Sequence, residues 1–164
     1  MKLLAAAVLL LVFQSAVPQE RIVDAYPEVF TWAAREAKNV FVVFSSDNCG
    51  WCILFDRYHA SPEVKKILEK DFLFQRIDIT DPESESRDLW ARYDFMGVTA
   101  WLIYSSNKQL LSNGKLDYGE QIGYPLSQPG QDAYIDAIQR NSRHIRKKEL
   151  LVLREMIVYC EEHY

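Results

Sequence analysis

Val40 to Phe44, read VFVVF, are five apolar residues in a row, rich in valine and aromatics and bounded by polar residues. A run that short and uninterrupted reads as a central strand buried on both faces, and it needs packed layers on both sides. Ser45 to Asn48 form the loop that leaves it. Cys49-Gly50-Trp51-Cys52 follow and open a helix that runs to about Tyr58. The first cysteine therefore sits at a helix start, where unpaired backbone N–H groups and the helix dipole favour negative charge. Its pKa is expected to fall below that of a free cysteine. The second cysteine lies one helical turn on, so the two sulfurs can close a small ring. Cys49 can attack a disulfide and Cys52 can resolve the mixed disulfide.

The remaining elements follow from spacing. Val17 to Asp24 reads as a linker. Pro27 to Lys38 reads as a first helix, with Val29, Phe30, Ala33, Ala34 and Ala37 at helical intervals and Pro27 in the first turn. Ser61 is an expected N-cap, with Pro62 in the first position of a helix to about Lys70. Phe72 to Ile79 alternates as a second strand. Asp81-Pro82-Glu83 opens a helix to about Tyr93, and Ala100 to Tyr104 is a third strand. Asn113-Gly114 is a hairpin signal between Leu110-Leu111 and the segment Leu116 to Ile122. A helix from about Gln131 to Arg140 closes the pattern. Early strands joined through helices argue for parallel pairing and the late hairpin for an antiparallel edge. The expected class is α/β, a mixed sheet flanked by helices.

Ile145 to Cys160 reads as an additional helix. Leu150, Leu153, Ile157 and Cys160 make one apolar seam, which Leu151, Val152, Met156 and Val158 widen. The seam suits packing on its own domain, and it also suits a homodimer or a partner helix.

Near the start of the chain, Lys2 is followed by an apolar run from Leu3 to Phe13, which reads as a signal peptide of residues 1–16 with cleavage expected after Ala16. The other reading is an uncleaved anchor. Export to a periplasm or outside the cell places the cysteines where disulfides persist. The net charge of -4 becomes about -5 without Lys2, which gives no electrostatic reason to expect nucleic acid. Arg143 to Lys148 is a short basic run beside acidic residues, read as a solvated face. Besides the pair, the metal-ligand candidates are only Cys160, His59, His144 and His163, so no metal and no cofactor are expected. His59 is expected on a solvated helix face and Cys160 in the core.

From Val40 to Cys52 the segment VFVVFSSDNCGWC resembles the strand and active-site segment of exported thioredoxin-like proteins. Ser61 to Val64 with Phe72 to Asp78, and the pair Gly123-Tyr124, extend the resemblance. It covers a thioredoxin-like domain of residues 25–141, followed by a helical extension of residues 143–163. The resemblance implies that Cys49 is the nucleophile, that Cys52 resolves, and that the pair cycles through a Cys49–Cys52 disulfide. It implies protein thiols or disulfides as partners, with a membrane electron donor or acceptor as a further candidate. Trp51 is expected to face outward as a substrate contact, and Val98 and Thr99, in the loop opposite the pair, are expected to offer backbone groups to a substrate strand.

Two positions depart from the family pattern. Tyr93 to Ala100 reads YDFMGVTA, with Thr99 where a cis-proline is usual. A non-proline cis bond costs about 3 kcal/mol, which favours a trans Val98–Thr99 bond. Val43 stands where many thioredoxins bury an acid, and Asp47, nearer the cysteines, is expected to be exposed. The absence of proline at Thr99, together with the additional C-terminal helix, keeps a second reading open, a binding or adaptor protein whose Cys49–Cys52 disulfide is structural.

Overall fold

A computed structural model describes residues 21–163, so the expected signal segment and its expected cleavage point lie outside the described residues. The elements in chain order are α1 (Ile22–Ala25), α2 (Pro27–Glu36), β1 (Asn39–Ser45), α3 (Gly50–Ala60), α4 (Pro62–Leu68) and β2 (Phe72–Asp78). They continue with α5 (Glu85–Ala91), β3 (Ala100–Tyr104), β4 (Leu110–Ser112), α6 (Gln128–Arg140) and α7 (Lys147–His163).

The four strands make one sheet in the order β2-β1-β3-β4. β1 pairs parallel to β2 and antiparallel to β3, with Val42 opposite Gln75 on one side and Leu102 on the other. β1 is buried along nearly its whole length, as its composition requires. Phe41 and Val43 join one core with Trp101, Ile103 and the buried faces of α3, α4, α6 and α7. Val40, Val42 and Phe44 join the other, with Ala100, Leu102, Tyr104 and the residues of α1, α2 and α5. The period-2 alternation of β1 and β3 thus divides two apolar layers between the faces of one sheet.

Four details differ from expectation. The end of the expected linker overlaps α1, because Ile22 and Val23 are buried beneath the sheet. A single turn is too short to show helical periodicity. Ser61 takes the N-cap backbone position of α4, but its hydroxyl donates to Tyr58 O (2.8 Å), a carbonyl at the open end of α3. The helix expected from Asp81 starts at Glu85, where Ser84 Oγ accepts from Arg87 N (3.2 Å). The hairpin of β3 and β4 turns at residues 105–109, with Lys108 left-handed (φ 66°) and Ser105 N bonded to Gln109 O. Asn113-Gly114 does not join two strands of the sheet. Gly114 is left-handed (φ 62°), and an added Cβ there would stand 2.6 Å from Trp101 O. The glycine serves a close backbone approach, and only a single bridge, Lys115 to Gln121, follows it.

α7 packs against α3, α4 and α6. Its seam of Leu150, Leu153, Ile157 and Cys160 is buried as expected, whereas Leu151, Val158 and Tyr159 are exposed. Two tyrosines fasten it. Tyr58 OH donates to Leu153 O (3.2 Å) and Tyr124 OH to Ile157 O (2.5 Å). Ahead of the helix, the buried Asp71 carboxylate accepts from His144 N (2.9 Å) and Ile145 N (3.1 Å). Those backbone and His144 side-chain bonds hold its pKa down against the opposing effect of burial, the largest single influence on it.

Candidate redox site

The end of β1 delivers the chain to α3, and Cys49 is the N-cap residue of that helix, with extended backbone (φ -114°, ψ 115°). Its sulfur accepts a hydrogen bond from Cys52 N at 3.2 Å, the bond a capping side chain makes to a helix's unpaired donors. The Cys49 thiol also points at Val98 O, 3.9 Å away. Cys49 is half-buried and Cys52 fully buried, and both are free thiols in this structure. Burial, and then the hydrogen bond with Cys49, push the Cys52 thiol up to about 11. The pair is therefore asymmetric, with one accessible sulfur and one protected sulfur held protonated behind it.

Trp51 is 52% exposed, between the cysteines as expected. Its ring stacks on Tyr124, with centroids 6.5 Å apart and planes 17° from parallel. Tyr124 in turn is bonded to α7, so the extension supports the exposed aromatic beside Cys49.

Loop 96–99 faces the pair. The Val98–Thr99 peptide bond is cis, which corrects the trans bond expected without proline. The loop's backbone is secured by a side chain that local sequence patterns do not single out. Gln121 Oε1 accepts from Met96 N (2.8 Å) and Gly97 N (3.3 Å). Gln121 Nε2 donates to Gly97 O (2.8 Å) and Thr99 O (2.9 Å). One amide thus holds four backbone groups, 22 to 25 residues away in the chain. Complementary donor and acceptor on one planar group fit such a task, but nothing in the residues around Gln121 announces it.

On the other flank, Asp47 is exposed as expected and accepts from Arg76 Nη2 (2.6 Å), while Arg76 Nε donates to Asp56 (2.9 Å). Asp47 N donates to Thr80 Oγ1 (2.9 Å). These bonds tie the loop before Cys49 to β2 and to the body of α3. Val43 is wholly buried in the core, so no carboxylate occupies that position.

His59 corrects the expectation of a solvated residue. It is 7% exposed, with Nδ1 3.0 Å from Phe55 O and Nε2 3.0 Å from Tyr134 OH. The first contact makes Nδ1–H the donor and leaves Nε2 to accept from the tyrosine, so the ring is neutral. Burial lowers its pKa to about 4, partly offset by the bond to Phe55 O. Packed among Phe41, Phe55 and Phe74, it belongs to the core and not to the redox pair. Cys160 is buried as expected. A cleft of about 1000 Å³ runs along the β2 edge, and neither cysteine lines it.

Residues 21–100 match a family model described as thioredoxin-like. Among solved structures, the chain is similar to a thioredoxin from Thermus thermophilus, with 25% identity, a TM-score of 0.40 and coverage of 48% of this chain. The chain spans 59% of that thioredoxin's length. It is similar to the disulphide isomerase from Xylella fastidiosa Temecula1, with 14% identity, a TM-score of 0.49, and coverage of 88% of this chain and 96% of that one. It is also similar to the oxidised C-terminal domain of DsbD from Neisseria meningitidis, with 22% identity, a TM-score of 0.48, and coverage of 71% and 91%. No curated protein matches the chain.

Proposed function

This chain is thioredoxin-like, in sequence over residues 21–100 and in fold, and from that premise we propose that it is a thiol–disulfide oxidoreductase acting on protein thiols or disulfides. The observation that carries the reading is the geometry of Cys49. Its half-buried sulfur caps α3 and accepts from Cys52 N at 3.2 Å, with the buried Cys52 behind it. A sulfur so placed faces the unpaired backbone donors of the first turn of α3, which lie where charge develops on it as it attacks or leaves. Cys49 is the nucleophile, and the Cys49–Cys52 disulfide is the oxidised state of the cycle. Trp51 and the backbone of Val98 and Thr99 receive the substrate segment. An exported setting, periplasmic or secreted, and a membrane electron partner belong to the same proposal. The exposed Leu151, Val158 and Tyr159 leave α7 available to a second copy.

The test is the reduction potential of the pair, by equilibration against glutathione and then dithiothreitol. A value of about -120 to -180 mV makes the protein an oxidant or isomerase, and about -270 mV makes it a reductase that needs a donor. Cys49→Ser is expected to abolish exchange while the fold persists. A potential far below about -300 mV with slow exchange would instead indicate the structural disulfide of an adaptor protein.

A further inference from the structure

Thr99 is 1% exposed, and its Oγ1 is buried without a hydrogen-bond partner in the dithiol state. A buried hydroxyl left unpaired is costly, so its position calls for an explanation. The loop that carries it is held by Gln121, and Gly123 lies close enough that an added Cβ would stand 3.3 Å from Thr99 O. The backbone at Thr99 is therefore held in the loop that faces the redox pair. The neighbouring carbonyl, Val98 O, is 3.9 Å from Cys49 Sγ, and Cys52 is fully buried behind Cys49.

We propose that the Thr99 hydroxyl is the hydrogen-bond donor to the Cys52 sulfur whenever that sulfur carries negative charge, making Thr99 the third group of the redox centre. The inference rests on disulfide exchange at Cys49 and Cys52. Burial raises the Cys52 pKa, and the Thr99 hydroxyl acts in the opposite sense. A proline at this position would supply neither a hydroxyl nor an N–H.

When the disulfide is reduced, an incoming thiolate attacks Cys49 Sγ. A bond forms between the two sulfurs, the Cys49–Cys52 bond breaks, and the electron pair leaves on Cys52 Sγ. The Thr99 O–H donates to that buried thiolate, which then takes a proton from solvent. In the reverse direction the Cys52 thiol loses its proton to solvent, its thiolate attacks Cys49 Sγ, and the substrate sulfur departs with the electron pair. The same donor lies in the path of both reactions. It matters most where water is excluded, because no solvent hydrogen bond can replace it.

The experiment is stopped-flow reduction of the oxidised full-length protein by dithiothreitol, followed by tryptophan fluorescence, for wild type, Thr99→Val, Thr99→Ser and Thr99→Ala. Far-UV circular dichroism confirms that each variant is folded. A hydrogen bond to a charged sulfur, tempered by the partial charge it carries in the transition state, corresponds to about a three- to tenfold loss of rate in Thr99→Val. Thr99→Ala is expected to match Thr99→Val, and Thr99→Ser to stay within about twofold of wild type, since the serine restores the donor. If valine distorts the loop, the alanine and serine variants make the same comparison. Equal rates in wild type and the valine and alanine variants would overturn the inference while leaving the exchange reading intact. So would a serine variant as slow as alanine. A wild-type pair that forms no exchangeable disulfide would overturn both.

Discussion

His59 makes the stability of this protein pH-dependent in a range where most carboxylates are still ionised. The ring is buried among aromatics, both nitrogens are occupied in the neutral form, and its pKa is lowered from 6.5 to about 4. Unfolding returns the ring to water and to its ordinary value. Between about pH 6.5 and pH 4 the unfolded chain therefore binds one proton more than the folded one, and stability rises with pH. The contribution is fully present above about pH 6.5 and is lost as pH falls towards 4. A tenfold change in proton affinity corresponds to about 1.4 kcal/mol, so the full span is about 3 kcal/mol, of which about 2 kcal/mol is lost between pH 7 and pH 4.5. That is a large share of the roughly 5–15 kcal/mol typical of a domain. The assay is urea unfolding of the reduced protein by circular dichroism from pH 7.5 to pH 4.5, for wild type and His59→Gln. The variant is expected to be less stable at neutral pH, because its amide replaces a fitted ring, but to lack most of the slope below pH 6.5. Identical slopes in the two proteins would refute the reasoning, as would a His59 imidazole, assigned by its loss in His59→Gln, that titrates above pH 6 by NMR in the folded state.

Gln121→Ala removes all four bonds to loop 96–99 and is expected to cost about 1–3 kcal/mol of stability. It should also slow exchange with a protein disulfide more than exchange with dithiothreitol, because only the larger substrate uses the loop's backbone. Matched losses for both substrates would count against that role. Gly114→Ala puts a Cβ 2.6 Å from Trp101 O at a left-handed residue, and is expected to destabilise by about 1–3 kcal/mol in urea unfolding. Leu153→Ala, in the buried seam of α7, should cost about 2–5 kcal/mol. Its unfolding should remain a single transition by circular dichroism and fluorescence, because α7 shares a core with α3, α4 and α6. Two separate transitions would show the extension to be an independent unit.

The site is unevenly legible in the sequence. Cys49, Trp51 and Cys52 lie within four residues, so local rules alone place a strand ending, a helix start and two thiols together. The apolar seam of α7 is equally plain, since helical spacing marks Leu150, Leu153, Ile157 and Cys160. Asn113-Gly114 misleads because a dipeptide suited to a hairpin serves equally where backbone must approach an indole and its carbonyl. The cis Val98–Thr99 bond is not legible, because the intrinsic cost of such a bond says nothing of the surroundings that hold the loop.

Local spacing determined the longer helices, strands β1 to β3 with the buried faces of β1 and β3, and the presence of a capping thiol at the start of α3. Those properties depend on residues a few positions apart, and periodicity records them. Only the tertiary structure decided which groups meet across the sheet and its loops. His59 finds Tyr134 across 75 residues, Gln121 grips a loop 22 to 25 residues away, and Tyr58 bolts down a helix 95 residues on. Each is a directional bond between distant segments. Hydrophobic patterning brings those segments together, but which polar groups then face one another depends on register and on the paths of loops that carry no period.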